Sequence, residues 1–481
     1  MKHIMCARYK KASSCLTLSL LATLVLPAQA AQPDVNQQRK RVNVLEENRP
    51  LPPGPARWNE DYRFLDDPAK RTDFWDPIRY HRLSDSAWIQ TGAEVRYRAD
   101  HIRNPVYGLR GVDKDNFIQQ RLQLHSDLHL FDDRLRFFVQ LENTRSWNKA
   151  LYAATDESKN ELRQAFFDIN SSLLDGRLVT RVGRQELGLG SFVFTNYRDS
   201  RNIRLGFDGV RLSYTRGPMK LDAFGLRPIV TGEGSFDDGS NNNVKFYGLY
   251  GSAPVYGALK VDAYLFGLET EERALAGLRG REERYTAGVR VFGERHGWDW
   301  SWDFAHQSGT LAGADIAAWA VSSESGYTLD GPFKPRLALR IDAASGDDKP
   351  GDNKVQVFDP LYPKNGVYGG SGVNTLSNMI LIGPRYTFTP TRHMDVELQA
   401  FAAWRESKND GVYLPGMTLV PGTQRSSASR IGTIYNGKIR WALNNNITAI
   451  LEYGQVQAGS AIEQAGGSDM KYGSLTTVLR F

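Results

Sequence analysis

The residue type this chain offers most consistently for chemistry is arginine. Arg96, Arg98, Arg121, Arg136, Arg211, Arg290, Arg336, Arg340, Arg405 and Arg440 all fall on the polar side of alternating stretches. Glu94, Asp127, Glu142, Asp262, Asp303, Asp342, Asp395 and Glu397 interleave with them. A guanidinium stays charged at any physiological pH and presents a planar fork of donors that fits carboxylates. Two uses follow. Most pairs would form a lattice of ion pairs that stiffens a wall, while a subset facing water would draw anions along a path, as charged rings do in anion pores. In a wet pore one such contact is worth only about 1 kcal/mol, weak enough for a solute to leave each site it enters.

Other chemistry is poorly provided for. The sequence holds no H-E-x-x-H, G-x-S-x-G or P-loop motif. His125 and His129 share one face, but four residues of extended chain set them about 13 Å apart, too far to share a metal. Ser126, His125 and Asp127 are neighbours in a strand and alternate between faces, so they cannot form a triad. No catalytic residue and no enzymatic activity are expected. The acidic, glycine-rich stretch 346–360 carries carboxylates that could take Ca²⁺, but it lacks the EF-hand spacing. It reads as a solvated outer loop, so no cofactor is expected.

The elements that must hold these arginines are strands. From residue 88 the chain becomes a series of stretches of about 10–14 residues with period two. Ile89, Ala93, Val95, Tyr97 and Ala99 oppose Gln90, Glu94, Arg96, Arg98 and Asp100. Leu122, Leu124, Leu128 and Leu130 oppose Arg121, Gln123, His125, Asp127 and His129. The connections alternate between tight ones, such as Asp132-Asp133 and Gly217-Pro218, and long ones, such as 187–200, 228–243, 269–283, 347–375 and 407–428. The connection near Gly309 is the exception, short where a long one is due. Short turns at one end and long loops at the other define an outer-membrane β-barrel. The spacing predicts an all-β fold: an antiparallel transmembrane β-barrel of about 18 strands over 88–481, with both termini on the periplasmic, short-turn side. The last strand ends Leu475, Thr477, Leu479, Phe481 toward lipid with Arg480 inward. A secreted β-sandwich or β-helix would have shorter strands and no such asymmetry of loops.

The N-terminus fits that destination. Lys2, Arg8, Lys10 and Lys11 precede an apolar run, 16–26, and Ala28-Gln29-Ala30 is a small-x-small cleavage site, so residues 1–30 read as a signal peptide. Cys6 and Cys15 both lie within it, which leaves the mature chain without thiols. The 60 Lys plus Arg and 54 Asp plus Glu of the 481-residue chain reduce to about +2 once the four basic residues of the signal peptide are removed. Net charge therefore gives no argument for a polyanion partner, which has to be argued from where the charges point, and nucleic acid has no place in an envelope barrel. Residues 31–87 are rich in Pro, Arg and Asp and show no period, an irregular periplasmic segment. Trp58, Tyr62, Phe64, Phe74, Trp75 and Tyr80 point to its docking in part on the barrel mouth.

Five stretches carry a likeness: WNEDYRFLDDPAKRTDFWDPIRY (58–80), ELRQAFFDI (161–169), RVGRQELGLG (181–190), FDGVRL (207–212) and ASGDDKPGDNKVQVFDPLYP (344–363). With these the sequence resembles the alginate export family of outer-membrane barrels. The resemblance implies an eighteen-stranded monomer that passes an anionic polysaccharide, or other anionic solutes, passively through an arginine-lined constriction. It also places pore arginines at Arg163 and Arg184. Alternation alone leaves both ambiguous, since Ala165, Phe167 and Ile169 share a face with Arg163 and Val182 shares one with Arg184. A bulge near Gly183 would reconcile the two. Expected partners are outer-membrane lipid and the barrel-assembly machinery, for which a terminal Phe481 resembles the recognition signal. A general uptake porin for small organic acids is the alternative, and an envelope enzyme or adhesin on a barrel scaffold a more distant one.

Overall fold

Period-two stretches become strands because alternate side chains meet lipid on one face and the lumen on the other. The computed structural model describes residues 54–364 and 366–481; the signal-peptide reading falls outside them. Eighteen strands form the wall: β1 (Ala87–Arg103), β2 (Lys114–Leu130), β3 (Leu135–Trp147), β4 (Ser158–Leu173), β5 (Gly176–Glu186), β6 (Gly206–Arg216), β7 (Met219–Val230), β8 (Val244–Tyr256), β9 (Leu259–Leu275), β10 (Leu278–Arg295), β11 (Trp298–Leu311), β12 (Ala314–Thr328), β13 (Arg336–Ala344), β14 (Met379–Thr391), β15 (Met394–Trp404), β16 (Arg430–Ala442), β17 (Ile447–Ala458) and β18 (Met470–Arg480). Each pairs antiparallel with the next, and β18 returns to β1 from Glu94↔Arg480 to Arg103↔Lys471. The closed ladder leaves no long edge facing lipid. Arg480 points inward and is buried, whereas the ring of Phe481 lies flat on that of Trp75, 3.9 Å between centroids.

Two features differ from the sequence reading. The stretch 269–283 is not a long loop. β9 and β10 run on as a hairpin turning at 276–277, and β11 and β12 likewise turn at 312–313. The residues ETEERALAGLRGREE carry charges on both faces, so the alternation fades although the strands continue, as strands rising from the membrane into water must do.

The second difference is that the barrel is not polar throughout its interior. In the sector from β6 to β9 the inward side chains are Phe207, Phe224, Leu226, Phe246, Tyr250, Tyr264, Phe266 and Leu268, all buried. Loop residues cover them: Leu189 and Phe194 from the 187–205 loop, Phe358 and Leu361 from the 345–378 loop. The main hydrophobic core thus sits inside the barrel, between its wall and two infolded loops.

The described part of the N-terminal segment is ordered by the barrel. Three short 3-10 turns lie between Arg57 and Lys70, a single helical turn covers Asp76–Arg79, and a short strand, Tyr80–Ser84, pairs with β1. Trp58 packs with Phe138, Phe166 and Tyr197 inside the barrel.

Candidate functional site

The two infolded loops are joined by their backbones. Asn196 N–H donates to the Tyr362 carbonyl (2.8 Å), Tyr362 N–H to Phe194 (3.0 Å) and Lys364 N–H to Phe192 (2.9 Å). Their rings lock the pair to the wall: Tyr362 sits edge-on to Phe207 and Phe246, at 5.2 and 5.0 Å, and Phe358 to Phe194 at 5.7 Å. Such aromatic pairs add about 0.5–1.5 kcal/mol each beyond burial, so the two loops are held to each other and to the wall.

Much of the predicted arginine set holds these loops rather than facing the path. Arg96 donates to the carbonyls of Asp199 (2.7 Å) and Arg201 (2.8 Å), and Arg98 to that of Ser200 (2.8 Å). Arg121 bridges Glu94 and Asp199, each at 2.6 Å. Arg204, from the loop itself, reaches Asp199 at 2.7 Å and Glu94 at 3.4 Å. Arg136 binds Asp127 at 2.7 Å and donates to the Trp58 carbonyl, and Arg211 binds Asp222 at 2.7 Å. These are the lattice.

Arg163 does point into the barrel. The cause is a bulge at its own position: Gln140 pairs with Gln164 and Leu141 with Leu162, which leaves Arg163 as the extra residue of β4. The register runs unbroken through Gly183, where no bulge occurs. Arg163 is paired with Asp238 and donates to the Arg204 carbonyl at 2.8 Å. Arg184 keeps the phase of Val182, on the face away from the inward Arg181 and Gln185. It binds Asp208 (2.9 Å) and the Asp238 carbonyl (3.1 Å) there. Arg405 donates to the carbonyls of Lys408, Asp410, Thr423, Ser426 and Ala428, and so ties down the 405–429 loop. In the acidic stretch 346–360, Asp347, Asp352 and Asp359 each accept a backbone N–H two residues on, and Asp359 also binds Arg273 at 2.5 Å.

What remains open is a water-accessible cavity of about 1670 Å³ within the barrel. Its lining includes eighteen Lys and Arg against fourteen Asp and Glu, proportionately more positive than the 60 against 54 of the whole sequence. Of the twelve arginines named from the sequence, Arg96, Arg98, Arg290, Arg336, Arg340 and Arg440 border it, the first two while also holding the 187–205 loop. On their side, Glu324 alone meets three guanidiniums: Arg385 at 2.5 Å, Arg336 at 3.0 Å and Arg340 at 3.5 Å. Lys364 projects from the 345–378 loop into this cavity. Desolvation by the protein packed around it, with the Lys438, Arg385 and Arg340 cations beside it, holds its ammonium pKa below the ordinary value although the side chain opens on the cavity, while Glu397 opposes the shift. A cation whose neighbours are mostly cations is a site for an incoming anion. Sequence reasoning passed over Lys364, Arg385 and Lys438. Lys438 alternates with Asn436 and Arg440 and could have been found by period. Arg385 follows Pro384, which blurs its strand, and Lys364 lies in a loop without period.

Comparison with known proteins agrees with this geometry. The family model described as alginate export matches residues 87–475. Among solved structures, OccK2 (OpdF) of Pseudomonas aeruginosa, crystallised with glucuronate, superposes with a TM-score of 0.55 at 13% identity, covering 82% of this chain and 98% of that one. OpdQ of the same organism gives 0.55 at 13% identity over 83% and 99%. The outer membrane protein opdK gives 0.55 at 10% identity over 82% and 98%. At such identities the likeness is one of fold. No curated protein matches the sequence.

Proposed function

Since this chain belongs to the alginate export family and is an outer-membrane channel for anionic solutes, we propose that its cargo is an anionic polysaccharide moved passively along the cations of the lumen. The observation that carries this reading is the arrangement around Lys364: one lysine on a loop joined to the wall, beside Lys438, Arg385 and Arg340, with Glu324 shared between the last two and Arg336. A polymer bearing one carboxylate per sugar would exchange contacts of about 1 kcal/mol each as it slides, held by none of them. The family and fold are those of transport proteins, and no group in the lumen is assigned a catalytic role or a cofactor. The barrel works as a monomer in outer-membrane lipid after insertion by the assembly machinery.

Single-channel recording in planar bilayers under a KCl gradient tests the reading. The wild type is expected to be anion-selective, and Lys364→Glu with Lys438→Glu to move the reversal potential toward that of K⁺. Cation selectivity in the wild type, unchanged in the double variant, would overturn it. The second reading, uptake of small organic acids, is favoured by the two loops folded into the barrel, which take up part of its interior, and by the glucuronate held in the OccK2 fold. Flux into liposomes separates the two: oligouronates pass in the first case, and only monomeric acids in the second.

A further inference from the structure

The seam where β18 meets β1 is incomplete. β18 stops at Phe481, whose N–H and carbonyl pair with Ala93, but β1 continues down to Ala87. On its other edge β1 stays paired with β2 as far as Trp88↔His129. The edge of Ala87–Thr91 that β18 abandons is backbone that something must satisfy.

Its depth makes the need acute. The outward residues of β1 run Ile89, Thr91, Ala93, Val95, Tyr97 and Ala99 before the polar His101 and Arg103. At about 3.3 Å per residue and a tilt of about 40°, that apolar run spans roughly 25 Å, the height of a barrel's lipid-facing band. The bare stretch therefore starts inside the band. An unsatisfied N–H or C=O there has no water to take the missing partner's place.

The N-terminal segment fills the gap. Tyr80, His81, Arg82 and Ser84 pair with Gln90, Ile89, Trp88 and Ala87, collinear with β18 and running the same way. Between the two, Thr91 donates its hydroxyl to the Ile78 carbonyl at 2.5 Å, and Trp75 stacks on Phe481. Arg57 reaches the Phe481 carbonyl from inside at 2.5 Å. The segment has an inner and an outer face, as a strand of the wall does. Tyr80 and Arg79 turn inward toward Tyr62, while His81 lies opposite the outward Ile89; Phe74, Ile78 and Leu83, the last an extra residue between Arg82 and Ser84, are 82%, 47% and 58% exposed. They continue an apolar rim that includes the exposed Phe131, whose neighbour Asp132 is hydrogen-bonded to Ser86.

We infer that residues 74–84 are a lipid-facing piece of the barrel wall, with Phe74, Ile78 and Leu83 seated in the periplasmic leaflet of the outer membrane. The partner is a phospholipid surface, which accepts isolated aromatic and aliphatic side chains at its boundary and needs no pocket. Continuity of the patch with the lipid band on β1 and β2 argues for this occupant over a soluble protein.

The test uses the full chain with Cys6 and Cys15 replaced by Ser, carrying Phe74→Cys, Ile78→Cys or Leu83→Cys singly and labelled with an environment-sensitive fluorophore. Asp85→Cys, at the fully exposed turn that follows, is the aqueous control. Folding of each is read from the heat-dependent gel shift before reconstitution in phosphatidylcholine vesicles. Doxyl-labelled phospholipid is expected to quench the probes at 74, 78 and 83 about twofold or more, with iodide quenching only the probe at 85. Probes at 74, 78 and 83 quenched by iodide like the control would overturn the inference. So would shielding of all three from both quenchers, as a second copy of the chain would produce.

Discussion

Glu94 on the first strand and Arg480 on the last stand 2.7 Å apart, and the same carboxylate also holds Arg121 at 2.6 Å and Arg204 at 3.4 Å. One acid thus joins the two ends of the sheet, the neighbouring strand and the infolded 187–205 loop. Replacing it by Gln leaves three buried guanidiniums around a neutral amide. Breaking a buried pair costs about 3–5 kcal/mol, so Glu94→Gln is expected to lower the urea midpoint of the refolded barrel by a comparable stability.

Arg405 gives the opposite kind of result. Hydrogen bonds from a charged donor are worth about 1.5–3 kcal/mol each, and Arg405 makes them only to carbonyls of its own loop region. Arg405→Ala is expected to leave ion selectivity unchanged and to expose 405–429 to protease, and Arg405→Lys to restore only part of the resistance because the fork is lost.

Phe358 contacts Phe194 beneath the loops with no exposed surface. Phe358→Ala removes a buried ring at about 3–5 kcal/mol, concentrated on loop docking rather than on the wall. Open-channel current is expected to rise and grow noisy while the folded gel band persists. A steady current of wild-type size would show that the loops are held without it.

The docking of the N-terminal segment should depend on pH through Glu60. Burial is the largest influence and raises its pKa to about 7, against the opposing pull of Arg57, Arg480, Arg79 and a hydrogen bond from Tyr62. A carboxyl that is harder to ionise when docked favours docking at low pH. The contribution is complete below the ordinary glutamate range and is lost as pH rises toward 7. Protection factors for hydrogen exchange of residues 57–66, corrected for the intrinsic rise of exchange with pH, are expected to be lower at pH 8 than at pH 5, and equal at both in Glu60→Gln.

Phe481 has a partner at home, Trp75. Deleting Phe481 is expected to lower the amount of barrel in the membrane without altering the conductance of what does assemble. Trp75→Ala, which removes the stack but keeps the terminal aromatic, should assemble at wild-type level. Equal loss in both would locate the effect in packing rather than in recognition by the assembly machinery.

Where lipid and water faced each other across one strand, the alternation was plain. Ile89, Val95 and Tyr97 against Glu94, Arg96 and Arg98 located β1 and the phase of its lumen. The pattern weakened where that contrast is missing. Tyr264, Phe266 and Leu268 face inward as Leu265 faces outward, because this sector of the wall encloses a dry core beneath two loops. The arginines were legible as inward residues, but their division between lattice and path was not. It depends on where the backbone of 187–205 and 345–378 comes to rest, and neither loop has a period. Lys364 owes its position wholly to that folding.

The bulge in β4 makes Arg163 separable from the wall. Glu161 and Gln164 both face inward on either side of it, so removing residue 163 would bring them into alternation without turning either, while the second irregularity of β4, between Ser158 and Glu161, stayed as it is. A single codon gained or lost there would add or withdraw one inward charge while all eighteen strands kept their register. For a barrel of this kind the interior can be retuned by length as well as by substitution.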